Sequence, residues 1–91
     1  MKDQEISKSF MKTNLYTPFG EFFVSTIYRR SSAAANPDGW YYETFGWSLE
    51  NGKQNHIIAD NSGAMFPRKA IEQHGEVCHQ LFEKGVFVAT N

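Results

Sequence analysis

The chain is poor in the residues that would place it quickly. It has one cysteine, Cys78, so no internal disulfide framework can form, and a reducing compartment suits it. It has three prolines, Pro18, Pro37 and Pro67, too few for a polyproline module. No apolar run approaches the length of a membrane span. Met1 to Phe10 is charged and polar, unlike a secretory signal. Neither sign of charge dominates: nine Lys and Arg stand against ten Asp and Glu, a net charge of −1, so no global basic field draws in nucleic acid. These features predict a protein of the cytoplasm, outside the membrane and without a bound cofactor.

What the chain does have is aromatic residues. They make up 15% of its 91 positions, eight Phe, four Tyr and two Trp, which compensates for a core limited by chain length. Aromatic residues are also enriched at interfaces. The length fits one domain spanning residues 1–91.

Residues 1 to 20 read as an N-terminal arm or short helix. Ile6, Phe10 and Met11 recur at near-helical spacing, and Thr17-Pro18-Phe19-Gly20 breaks the chain afterwards. The α+β core is expected over 21–89. Glu21 to Arg30 is β-branched and aromatic, a strand with apolar residues on both faces and hence central in its sheet. Ser31 to Gly39 reads as a long loop. Asn51-Gly52 joins Trp40–Glu50 to Lys53–Asp60 as a hairpin, because a type I′ turn needs positive φ at both central residues.

Counting outward from that turn places Glu43 opposite Asp60. It also gathers Tyr41, Phe45, Trp47, Leu49 and Ile58 on the more apolar face, which is assigned to the core. Thr44, Ser48 and Asn55 fall on the other face, toward solvent or a partner. Asn61 to Ala64 reads as a loop. A helix starts at Pro67 and runs to Lys84, with Ala70, Ile71, His74, Val77, Cys78, Leu81 and Phe82 as its apolar stripe and Gly85 closing it. Gly75 in mid-helix suggests close approach to the sheet, and Val86 to Ala89 could add a short strand or a tail. The expected fold is therefore α+β: an antiparallel sheet of three to four strands packed on one face by a single long helix.

Several candidate sites follow. Glu43, His74 and Asp60 should meet between sheet and helix as a buried polar pair with Asp60 near. Such a cluster could do acid–base work or bind a small molecule or metal, but a structural ion pair perturbs titration in the same way. A metal would draw on His74, Cys78 and His79, with His56, yet no Cys-x2-Cys pair is present and His79 points off the stripe. A nucleophile would be Ser25, Ser62 or Cys78, and no nucleophile-elbow pattern surrounds the serines. Arg29, Arg30, Trp40 and Tyr42, with Tyr28, could bind a macromolecule. Arginines interleaved with aromatics on a strand can stack single-stranded nucleic acid, although the balanced charge favours a protein partner.

Three short motifs resemble the layout of small proteins encoded by many bacteriophages and prophages. Val24-Ser25-Thr26-Ile27 looks like the first, Tyr42-Glu43-Thr44 with Trp47 like the second, and Ala70 with His74 like the third. Phe66 stands where that layout has a Thr cap, and Phe45-Gly46 where it has a Met-Val-like pair. The resemblance implies a non-enzymatic accessory protein of the bacterial host cell that binds a protein or ribonucleoprotein complex. Host-takeover factors and inhibitors of bacterial defence, CRISPR-Cas included, are the recurring types. It admits a homodimer and gives no chemistry of its own.

Overall fold

Alternation of apolar and polar residues builds a sheet from most of the chain, and one amphipathic helix covers it. The computed structural model describes residues 6–30 and 39–89. Four strands, β1 (Ile6–Thr17), β2 (Gly20–Arg30), β3 (Trp40–Glu50) and β4 (Lys53–Ala64), precede one helix, α1 (Pro67–Lys84). The strands pair antiparallel in the order β1-β2-β3-β4. The expected α+β architecture is thus present, with β2 and β3 central. The loop expected over Ser31 to Gly39 lies outside the described residues except for Gly39.

The N-terminal segment is a full strand rather than an arm or helix. Met11, Thr13 and Leu15 oppose Thr26, Val24 and Phe22, and Lys12 and Asn14 point the other way. The near-helical spacing of Phe10 and Met11 has a local cause. The register shifts between Ser9 and Met11, and Phe10 packs toward Tyr42 on the helix side. The following turn is closed by Thr17, whose hydroxyl accepts from Phe19 N–H at 3.0 Å and donates to Gly20 O at 2.9 Å.

The Asn51-Gly52 turn forms as expected, with φ of 54° and 77°. Two register shifts, between Leu49 and Trp47 and between Trp47 and Gly46, move β4 along β3, so that Phe45 opposes Asp60 and Glu43 opposes Ser62; a third follows between Glu43 and Tyr42. Pairing continues through Ala64, so residues 61–64 are strand and not loop.

The face taken for the core is the uncovered one. The helix lies on the face carrying Phe22, Val24, Thr26, Tyr42, Thr44, Gly46, Ala59 and Ala64. Tyr41, Phe45, Trp47 and Leu49 lie on the other side of β3; Ile58 alone of the expected set packs toward the helix, beside a register shift. Helix packing selects small residues at the contact. A Cβ on Gly46 would stand 2.9 Å from Ala59 Cβ and 3.1 Å from Leu81 Cδ1. Close approach therefore occurs at Gly46. Gly75, the helical glycine expected to make it, has nothing within 4 Å.

The helix begins without a side-chain cap at Phe66, with Pro67 in its first turn. It ends at Gly85, whose φ of 73° lets its N–H bond Leu81 O, while the Phe19 ring packs against it. Ala70, His74, Val77 and Leu81 are buried as expected. Ile71 and Phe82 are not: they sit on the helix flank, 52% and 47% exposed. Gln80 is buried in their stead. Its amide accepts from Val88 N–H at 2.9 Å and donates to Val88 O at 3.2 Å, pinning a non-strand tail whose Phe87 packs on the core.

Candidate functional site

Two polar clusters lie on opposite faces of the sheet. The first is between sheet and helix. Thr26 projects from β2 and Thr44 from β3, directly paired in register, with their hydroxyls 2.6 Å apart. One helical position supplies His74, whose Nδ1 lies 2.7 Å from Thr26 Oγ1 and whose Nε2 lies 2.8 Å from Thr13 Oγ1 on β1. Gln73 Nε2 donates to Thr44 Oγ1 at 3.0 Å. Thr26 and Thr44 are fully buried and His74 nearly so.

A neutral imidazole satisfies this chain with one tautomer. Gln73 donates to Thr44, Thr44 to Thr26, Thr26 to His74 Nδ1, and His74 Nε2–H to Thr13. Burial pushes the His74 pKa below its ordinary value, in keeping with a neutral ring. The Thr13 hydroxyl also reaches the Cys78 thiol, which burial pushes upward. The thiol is thus held protonated, the opposite of a reactive cysteine.

These are the motif residues. Thr26, Thr44 and His74, drawn from three separate short motifs, converge in one hydrogen-bonded chain, and Ala70 packs with Tyr42 and Ala64 beside it. Within this layout they hold sheet and helix together.

The second cluster is on the uncovered face. Glu43 (β3) bonds Arg29 (β2) at 2.8 Å, and its side chain is 12% exposed although no helix among the described residues covers it. Arg29 also lies 5.9 Å from the centroid of the Tyr41 ring. The Glu43 pKa is raised to about 7, first by burial and then by its hydrogen bond to Asp60 and the Asp60 charge; Arg29 opposes the rise. Glu43 and Asp60 therefore meet, as the sequence suggests, but diagonally across the register. His74 is on the other side of the sheet, so the expected Glu43–His74 pair does not exist. The cause is the face inversion: Glu43 alternates with Tyr42 and Thr44, which point to the helix.

The residues expected to bind a partner are divided as well. Arg29 is on the uncovered face. Tyr42 is in the core at 6% exposure, its hydroxyl pKa raised by burial and by Tyr28. Trp40 stacks on Tyr28 at 4.6 Å, extending a column of rings that runs through Tyr28–Tyr42 and Phe10–Tyr42. Arg30 opposes Trp40 in register at the strand end and is exposed.

Ser25 and Ser62 alternate onto the uncovered face, with the sheet between them and His74. Among the described residues no three His, Cys, Asp or Glu side chains are placed to hold a metal ion. His56 and His79 are both exposed.

The uncovered face itself was missed as a surface. Phe23 and Ile27 of β2, Tyr41, Phe45, Trp47 and Leu49 of β3, and Ile57 of β4 share it. The signal was present in the count of large aromatics, which exceeds what one helix can cover. Among the described residues no helix is long and apolar enough to cross a membrane. Comparisons with family models, with curated proteins and with solved structures gave no match.

Proposed function

We propose that this is a non-enzymatic protein-binding module whose docking surface is the uncovered sheet face. The observation that carries the reading is an aromatic and aliphatic sheet face, centred on the half-buried Phe45 and Trp47, that no other described element covers. Contiguous apolar surface of this kind marks interaction sites, and aromatic side chains supply most of the energy at their centres.

Charge favours protein over nucleic acid. Arg29 is committed to Glu43, and Asp60 lies beside them, so the arginine nearest the aromatics is neutralised. The chemistry of the other cluster argues against catalysis. His74 is buried and bonded on both ring nitrogens, and the serines are across the sheet from it. The resemblance to phage-encoded proteins makes a bacterial host complex, a defence complex such as CRISPR-Cas included, the class of target for a protein acting in the host cytoplasm.

Affinity capture from a bacterial host lysate tests the reading, using the wild-type chain, Trp47→Lys and Arg30→Ala. Loss of the captured protein with Trp47→Lys, and its retention with Arg30→Ala, is the expected pattern. Equal recovery with wild type and Trp47→Lys would remove the uncovered face as the docking surface.

A further inference from the structure

The register divides the uncovered face into rows that cross the sheet. The middle of five rows runs Lys12 (β1), Ser25 (β2), Phe45 (β3), Asp60 (β4). It has a cation at one end, an anion at the other, and a small residue beside a large one at its centre.

We propose that a second copy of this chain covers the uncovered face, its twofold axis lying along the strands between β2 and β3, so that Lys12 of each copy meets Asp60 of the other. The proposal rests on the reading of this face as a protein-docking surface and names its occupant.

Symmetry supplies the argument. A twofold axis along the strands keeps each row at its own height and reverses its order, so β1 lies over β4 of the second copy and β2 over β3. In the middle row Lys12 then faces Asp60, and Ser25 leaves room for Phe45. In the next row, Asn14–Phe23–Trp47–Ile57, the reversal puts Phe23 over Trp47. The row on the other side, Ser9–Ile27–Glu43–Ser62, sets Ile27 over Glu43. An axis across the strands would instead set Lys12 on Lys12 and Asp60 on Asp60. Both arrangements keep the strands of the two sheets nearly aligned, and only the first is electrostatically self-complementary.

The area is sufficient. Four strands about 4.8 Å apart and about ten residues long at 3.3 Å each present roughly 600 Å². Two copies would bury roughly 1,200 Å² together, the lower end of stable specific interfaces. The product is a four-layer helix–sheet–sheet–helix particle that leaves the Ile71 and Phe82 flanks outward.

Sedimentation velocity of the purified full chain, over a wide concentration range, tests the proposal. Wild type should sediment as a dimer. Lys12→Asp and Asp60→Lys should each weaken dimerisation roughly tenfold or more, because like charges then meet across the interface. The double swap Lys12→Asp/Asp60→Lys should restore it. A wild-type monomer at every concentration would overturn the proposal, as would a dimer unaffected by either single change or unrestored by the swap. Lysate capture with Trp47→Lys separates the two levels. If wild type is monomeric and Trp47→Lys loses a host protein, the second copy is wrong and the docking face stands. If Trp47→Lys changes neither capture nor sedimentation, both fall.

Discussion

Thr26 Oγ1 and His74 Nδ1 lie 2.7 Å apart in the layer between sheet and helix, and Thr44 Oγ1 completes the contact from the next strand at 2.6 Å. A hydroxyl is the side chain that suits this place. It is as small as a valine side chain, and it can both donate and accept. Thr26→Val keeps the shape and removes both functions, leaving His74 and Thr44 buried with partners missing. Urea unfolding should show a loss of about 1–3 kcal/mol, with the slope unchanged. An unaltered midpoint would mean that the chain of hydroxyls contributes no net stability.

The same ring sets one side of the pH dependence. The His74 pKa is lowered in the folded protein, so the unfolded chain binds more protons over the window below its ordinary value near 6.5. Stability from this group is therefore present above that value and is lost as pH falls toward the lowered folded value. Histidine ring NMR should show His74 titrating below its ordinary value. A His74 midpoint at or above its ordinary value would contradict the neutral, doubly bonded ring.

Glu43 has the opposite sign. Its folded pKa, about 7, lies above its ordinary 4.5, so the folded state holds the proton that the unfolded state has released. The contribution is complete below about 4.5 and is lost as pH rises through about 7. Allowing for solvent screening on an uncovered face, the loss should be on the order of 1–2 kcal/mol. Glu43→Gln should flatten this part of the stability profile. A profile equally steep with and without the substitution would assign it to another group.

Two glycines should respond in opposite directions. Gly46→Ala drives a methyl into Ala59 and Leu81, an overpacking that should cost about 1–3 kcal/mol. Gly75→Ala meets nothing and gains helix propensity, so it should stabilise by about 0.5–1 kcal/mol. Thermal melts of the two variants check both signs.

Most of the element order was legible in the sequence because it rests on local signals. The Asn51-Gly52 turn, Pro67 at the helix start and Gly85 at its end each impose a backbone geometry that few residues accept. The face of the sheet was not legible, for a reason specific to this chain. Both faces of β3 are apolar, and counting aromatics favours Tyr41, Phe45 and Trp47, whereas a helix seeks the side with Gly46, Ala59 and two threonines. The hairpin register could not be carried far from the turn, since the two irregularities between Leu49 and Gly46 shift the partner of Glu43. That one strand-face inversion accounts for His74 and Glu43 being read as neighbours. The meeting of Thr26, Thr44 and His74 was not visible, because nothing local says that side chains from three separate stretches touch.

A buried hydroxyl–imidazole network lies between sheet and helix, and the proposed docking surface lies on the opposite face of the sheet. A photo-reactive phenylalanine analogue placed at Phe45, and in a control at Glu83 on the exposed helix surface, tests that division most directly. On irradiation in a bacterial host cell, the Phe45 probe should give discrete protein adducts, a doubled chain among them, and the Glu83 probe should not. Adducts from Glu83 with none from Phe45 would contradict the account.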